Sequence, residues 1–103
     1  MPLFHITAAA DWEAALAAGR YAPPSLDREG FIHLSADGQV AGTLARFYAD
    51  VPDLVVLEVD DALGEALRWE EGEPGELFPH LYRALAPHEV LAVRDVARWG
   101  GST

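Results

Sequence analysis

The chain has 103 residues, half of them apolar, and no cysteine. This length predicts a single domain over 1–103, and the apolar content disfavours disorder. The missing cysteine excludes disulfides, thiol catalysis and thiolate metal sites. Seventeen acidic residues stand against seven arginines and no lysine, which gives a net charge of −10. Because such a chain repels polyanions, we expect no general binding of nucleic acid.

The hydropathy pattern gives no sign of a membrane. No apolar run approaches the roughly 18 residues that a spanning helix needs. The first residues lack the basic start and apolar stretch of a signal peptide. We therefore expect a cytoplasmic protein that does not contact a membrane. The sequence leaves a protein partner undetermined.

The first half of the chain predicts two strands and two helices. In the first strand, side-chain alternation places His5 and Thr7 on one face and Phe4 and Ile6 on the other. Adjacent prolines then predict a loop, because proline disrupts both helices and sheets. The predicted elements are a strand over 3–7, a helix over 9–18, a loop over 21–27, a strand over 31–35 and a helix over 37–49.

The second half of the chain predicts mainly strands. A continuous apolar run over 54–59 indicates a strand in the centre of a sheet. Further predictions are a strand over 66–70, an acidic loop over 71–75, a strand within 77–85 that begins near His80, a turn over 87–89 and a strand over 90–99. With about six strands and two main helices, and with the helices early in the chain, the fold class is predicted to be α+β. Trp12, Phe31 and Phe47 are expected in the core.

Several polar side chains interrupt these strands. His5 lies in the first strand, His33 and Ser35 share a face of the second, and His80 and Tyr82 share a face of a later one. One histidine in a strand is more often structural than functional. Three of them, two with a hydroxyl on the same side, predict a polar cleft if the three strands belong to one sheet.

These residue types suit proton transfer near neutral pH, where imidazole titrates. Glu70 precedes the His80 segment and is a candidate general base or ribose ligand; the alternative is a solvated acidic loop. Arg68 and Arg83 either hold an anion or balance nearby acids. The histidines lack the short spacing of local metal motifs, so no metal is expected.

Longer blocks of the sequence resemble the bacterial family called domain of unknown function 952. The matching blocks are His5-Ile6-Thr7, Trp12, Gly30-Phe31-Ile32-His33-Leu34-Ser35 with Gln39, Trp69-Glu70, and Phe78-Pro79-His80-Leu81-Tyr82. The similarity runs over about 4–93. It implies a fold similar to the ADP-ribosyltransferase superfamily, with a split pair of small sheets and an NAD cleft between them.

The same resemblance implies roles for individual residues. His5-Ile6-Thr7 is similar to the His-Gly-Thr block of NAD-binding transferases, in which the histidine holds a ribose hydroxyl. The strand that contains His33 and Ser35 is similar to one in RNA 2′-phosphotransferases, which use NAD. Two departures weaken the likeness: Ile6 replaces a glycine that admits the nicotinamide amide, and His80 stands about where a transferase carries its catalytic glutamate.

Three hypotheses follow for this chain. The first is an enzyme that acts on NAD or a related nucleotide, the second is a module that binds such a ligand without turnover, and the third is a protein-interaction domain with structural histidines. The catalytic candidates of the first are His80, His33 and Glu70. Its candidates for holding NAD are His5, Thr7, Ser35 and Tyr82.

Overall fold

Two antiparallel sheets of three strands each form the framework of the computed structural model, which describes residues 1–101. The strands are β1 (Leu3–Ala8), β2 (Ile32–His33), β3 (Leu54–Val59), β4 (Leu67–Glu73), β5 (Glu76–Leu81) and β6 (Val90–Asp95), and the helices are α1 (Ala9–Ala18), α2 (Pro24–Glu29) and α3 (Asp37–Phe47). Short 3₁₀ turns cover Gly64–Ala66, Pro87–Glu89 and Val96–Trp99. This arrangement confirms the α+β class. No helix of this described part of the chain is long and apolar enough to cross a membrane.

The first sheet has the order β1-β3-β6, so the apolar run of β3 is central, as predicted. Val56, Leu57 and Val59 have no exposed surface, because both faces of β3 are covered. The alternation predicted for β1 is also observed: Leu3 packs in one core cluster, and Phe4 packs in a second one. The sheet therefore separates two apolar cores.

The second sheet has the order β2-β5-β4 and carries most of the polar candidates. His33 lies directly opposite His80 in the β2–β5 register. A single antiparallel bridge between Phe4 and Ser35, with N–O distances of 2.8 and 2.7 Å, joins this sheet to the first. The three histidine strands therefore do not belong to one sheet, because His5 lies in the first sheet.

The proline-rich segment contains a helix, where a loop was predicted. Pro24 occupies the first position of α2, where its missing N–H breaks no helical hydrogen bond and its fixed φ suits the helix. Gly30 ends α2 with a φ of +88°. The described chain thus has three α-helices, and the predicted pair of main helices was one too few.

Three strand boundaries also differ from their predictions. The strand expected over 31–35 is only the two-residue β2. β4 extends through the expected acidic loop to Glu73, and β5 begins at Glu76 and not near His80. The cause is a tight turn at Pro74 and Gly75, where Gly75 has a φ of +80°.

The expected aromatic core is only partly correct. Trp12 is buried, but Phe31 is half-buried and Phe47 is 65% exposed. α3 buries Val40 and Leu44 instead. Phe47, at the last position of this helix, is left at the surface.

Candidate functional site

A cavity of about 550 Å³ brings together residues from both sheets, from α3 and from the end of α2. This volume falls in the range of small-molecule sites. The lining residues are His5, Ile6, Glu29, Phe31, His33, Leu34, Ser35, Thr43, Arg46, Phe47, Tyr48, Glu71, Gly72, Glu73, Phe78 and His80.

The side chain of Gln39 fixes α3 above this cavity. Its Oε1 accepts the Ala36 N–H at 2.9 Å, which satisfies a free donor at the start of the helix. Its amide group donates to the Leu77 carbonyl at 2.8 Å and to Glu76 at 3.1 Å. One side chain thereby ties the helix to β5, the strand that carries His80.

A carboxylate holds the buried imidazole of His80. Nδ1 of His80 lies 2.9 Å from Glu70 Oε1, and the register places both side chains on the same face of β4 and β5. Since a carboxylate accepts, Nδ1 carries the proton and donates. In the neutral tautomer of this ring, Nε2 is left as an acceptor. The Tyr82 hydroxyl also donates to Glu70 Oε1, at 2.5 Å.

These hydrogen bonds keep Glu70 ionised. The bond from Tyr82 and then the bond from His80 lower the pKa of the Glu70 carboxyl below its ordinary value. The same contact raises the pKa of the Tyr82 hydroxyl. A charged carboxylate behind an imidazole fixes its tautomer and stabilises the imidazolium that forms when Nε2 takes a proton.

A second carboxylate–imidazole pair stands beside the first. His33 Nε2 lies 2.9 Å from Glu29 Oε1, and this bond lowers the pKa of Glu29. The His33 and His80 rings meet edge to face with their centroids 5.6 Å apart. Unlike His80, the His33 side chain is half exposed, so it lies nearer the mouth of the cavity.

Phe31 holds these rings in place. It stacks on the His80 ring with centroids 4.0 Å apart and an interplanar angle of 16°, and it also contacts His33 and Tyr82. A stacked ring covers one face of the imidazole and keeps it from rotating. The edge that carries Nε2 is therefore the part of His80 available to a ligand.

Two polar atoms in the cavity wall, on largely buried residues, have no hydrogen-bond partner within the described part of the protein. Within residues 1–101, neither His80 Nε2 nor Ser35 Oγ makes a hydrogen bond, although the two residues are only 6% and 5% exposed. No fully enclosed side-chain N or O atom of these residues lacks a partner. Both atoms therefore keep accessible surface, and both residues line the cavity.

His5 is bonded within the protein through both of its ring nitrogens. Nδ1 lies 2.6 Å from the His33 carbonyl, to which it donates, and Nε2 lies 2.7 Å from the Tyr21 hydroxyl. The same hydroxyl is hydrogen-bonded to Thr7 Oγ1 at 3.0 Å. Burial lowers the pKa of His5 to about 4 and raises that of Tyr21 to about 12. At neutral pH this group is an uncharged network.

The structure thus separates the predicted site residues into two groups. His33, His80, Glu70 and Tyr82 form one contact cluster, of which His33 and His80 line the cavity together with Ser35. His5 and Thr7 belong to the Tyr21 network, and His5 reaches the cavity wall while Thr7 does not line it.

Sequence reasoning missed the other members of the cavity. It did not identify Glu29 or Phe31 as partners of the histidines, nor Arg46 as a lining residue. The four-residue spacing of Glu29 and His33 was a usable signal, but it crosses from a helix into a strand. Phe31 carried no signal beyond being aromatic.

The two arginines considered as anion ligands serve other contacts. Arg83 binds both oxygens of Glu89, at 2.9 and 2.8 Å, and also donates to the Leu63 carbonyl. Arg68 lies over the Tyr82 ring at 5.0 Å. Among residues 1–101 no group of three or more His, Asp or Glu side chains has an arrangement that would hold a metal ion.

A glycine in the cavity wall is required by close packing. A Cβ on Gly72 would lie 2.6 Å from Cδ1 of Phe78, a buried ring with no flexible end to move aside. We expect Gly72→Ala to lower the free energy of unfolding by about 1–3 kcal/mol, measured by urea denaturation. Gly38→Ala is the control, because its Cβ meets open space in α3. Equal stability of the two variants would contradict this packing.

The fold and the cavity define a small α+β protein with split antiparallel sheets and a carboxylate-held histidine facing a cavity. The profile of the family described as "Protein of unknown function (DUF952)" matches residues 6–93, and the chain belongs to this family. The crystal structure of protein CC0527 from Caulobacter crescentus is 40% identical in sequence, with 92% of this chain and 85% of that chain covered and a TM-score of 0.86. The solution NMR structure of CC0527 is 42% identical over 91% of this chain and 83% of that one, with a TM-score of 0.80. No curated protein matches the chain.

Proposed function

We propose that the cavity binds a nucleoside- or nucleotide-like small molecule and that His80 exchanges a proton with it at Nε2. One observation carries this proposal: an imidazole that is nine-tenths buried has one nitrogen on the Glu70 carboxylate and the other unpartnered in a cavity wall. Nε2 and the Ser35 hydroxyl both keep accessible surface in one cavity wall, so both are hydrogen-bonding groups open to a ligand.

The chemistry available to this site is general acid–base catalysis. As a base, His80 Nε2 takes a proton from an attacking hydroxyl while Glu70 stabilises the imidazolium. His33 and Ser35, which line the cavity, would hydrogen-bond ribose hydroxyls. NAD is the first candidate substrate, because the blocks around His5 and His33 resemble those of NAD-dependent transferases. The attacking hydroxyl oxygen would then form a bond to the ribose carbon while nicotinamide leaves.

A second candidate is binding of the same ligand without turnover. It is favoured by His5, the residue that the resemblance assigns to a ribose hydroxyl, because both of its ring nitrogens are bonded to protein. The Ile6 side chain, where transferases have glycine, also lines the cavity. Both candidates predict binding, and they differ in product formation.

Thermal unfolding with NAD, ADP-ribose, nicotinamide riboside and nicotinamide tests the proposal. A ligand at about a hundred times its dissociation constant adds about 2.7 kcal/mol. For a domain of this size that raises Tm by about 10 °C or more. We expect such a shift with at least one compound in the wild type and in His88→Gln, which changes an exposed histidine, and its loss in His80→Gln. No shift with any compound, or an equal shift in His80→Gln, would contradict the proposal.

A further inference from the structure

We infer that Arg46 is the phosphate-binding residue of this cavity and that Glu73 is the carboxylate which the phosphate displaces. The ligand is then a nucleotide and not a nucleoside. This inference rests on the proposed function and narrows its ligand class. Among the described residues, Arg46 is the only arginine that lines the cavity. A guanidinium is suited to the task because its paired N–H groups match the oxygens of a phosphate.

The contact between Arg46 and Glu73 is loose for an ion pair. The closest approach is 3.3 Å, between Arg46 Nε and Glu73 Oε1. Charge-assisted bonds of this kind are usually about 2.7–2.9 Å long. Arg83 makes such bonds, since its two Nη atoms lie 2.9 and 2.8 Å from the oxygens of Glu89. Arg46 donates no hydrogen bond to any group of residues 1–101, so its N–H groups remain open to a ligand.

The pair of Arg46 and Glu73 lies at the exposed end of the cavity. Arg46 comes from the last turn of α3, and Glu73 is the last residue of β4. Their side chains are 46% and 37% exposed, whereas His80 and Ser35 are 6% and 5% exposed. Removing a charge from water is costly. A phosphate at Arg46 would keep part of its hydration, while the ribose of the same ligand reaches the buried end beside His80.

Neighbouring groups hold the Arg46 guanidinium without using its donors. Its central carbon lies 5.8 Å from the centre of the Phe47 ring, a distance at which an aromatic face attracts a cation. A Cβ at Gly42 would lie 3.7 Å from Arg46 Nη1, which shows that the side chain runs back along α3. The guanidinium therefore keeps its place at the cavity when Glu73 moves away.

The charges around the cavity make Glu73 a competitor of the phosphate. The chain carries −10 and Glu29 also lines the cavity, so an anion is repelled unless Arg46 meets it directly. A phosphate at Arg46 replaces one long contact with two parallel N–H···O bonds. The displaced Glu73 turns to water, and the loss of its exposed ion pair costs little. A ligand without phosphate leaves the pair closed.

Two ligands that differ by one phosphate isolate this contact. Nicotinamide mononucleotide carries the phosphate, and nicotinamide riboside lacks it. Calorimetric titration is expected to give at least about tenfold tighter binding of the mononucleotide, the effect of hydrogen bonds to a charged group. Arg46→Gln is expected to remove this advantage and to leave the affinity for the riboside unchanged. Glu73→Gln is expected to tighten binding of the mononucleotide about two- to fivefold, because the competing carboxylate is gone.

The controls are Arg20→Gln and Glu65→Gln, which remove the same charges at exposed positions outside the cavity lining. Both are expected to bind the two ligands as the wild type does. If the ion pair only held α3 in place, Arg46→Gln and Glu73→Gln would both weaken both ligands, and this result would overturn the inference. Equal affinity of the wild type for the two ligands, or an equal gain in Glu73→Gln and Glu65→Gln, would overturn it as well.

The riboside separates this inference from the proposed function. If the riboside binds and loses its affinity in His80→Gln while the phosphate adds nothing, the proposed function stands and the phosphate site is wrong. If neither ligand binds and NAD does not bind either, both are wrong.

Discussion

Replacing His80 with glutamine is expected to lower turnover of a nucleoside or nucleotide substrate by about 10²–10⁴-fold, the range for loss of a general acid or base. Glutamine fits the space and keeps an amide near Glu70, but it has no group that exchanges a proton near neutral pH. The assay is nicotinamide release from NAD or nicotinamide riboside, followed by chromatography. His88→Gln, at an exposed 3₁₀ turn, is expected to retain full turnover.

Glu70→Gln separates a positioning role from the chemistry itself. Its side-chain oxygen still accepts from Tyr82 and from His80 Nδ1, while the negative charge that stabilises the imidazolium is lost. Turnover is therefore expected to lie between those of the wild type and His80→Gln, with KM little changed. Unchanged turnover in both variants would remove His80 from the reaction. A wild type that binds but releases no product would favour the non-catalytic candidate.

Acidification is expected to destabilise the fold through His5. Burial lowers its pKa from 6.5 to about 4. Between these two pH values the imidazole is therefore protonated in the unfolded chain and neutral in the folded chain. This stability is fully present above pH 6.5 and is lost as the pH falls toward 4. Between pH 7.5 and 5 the free energy of unfolding is expected to fall by about 2 kcal/mol from this one group.

Urea denaturation at the two pH values measures the effect. His5→Gln removes the titrating group, and its pH dependence over this window is expected to be smaller than that of the wild type by the same amount. His88→Gln serves as the exposed control and is expected to behave as the wild type does. An identical pH dependence in His5→Gln and in the wild type would show that the His5–Tyr21–Thr7 network does not exclude the proton.

The bounds of secondary-structure elements were predicted correctly where the sequence carried one strong local signal. The bounds of α1 and β3 agree with the predicted 9–18 and 54–59, because Gly19, with a φ of +79°, ends the helix and a continuous apolar run marks the strand. The prediction failed at Pro24, because proline is common both in loops and at the first position of a helix. Here it starts α2. The prediction also failed where turn length decided the boundary, since the two-residue turn at Pro74-Gly75 lets β4 and β5 extend into the expected loop.

Only part of the candidate site could be predicted from the sequence. Same-face spacing grouped His80 with Tyr82, and both side chains contact Glu70 because β4 pairs with β5. Which strands pair depends on residues far apart in the sequence. The sequence therefore did not show that His5 lies in a different sheet from His33. The stacking of Phe31 on His80 was beyond sequence reasoning for the same reason.

The central claim is that His80 Nε2 is the atom that meets a ligand, and the imidazole ¹H–¹⁵N NMR spectrum of the wild-type protein tests it most directly. At pH 8, above the usual imidazole range, we expect His80 to be protonated on Nδ1 with Nε2 as an acceptor. Addition of NAD or nicotinamide riboside is expected to shift the His80 Nε2 resonance and to leave that of His88, which lies outside the cavity lining, in place. A His80 protonated on Nε2 in the free protein, or a His80 signal that neither of these compounds moves, would contradict this account.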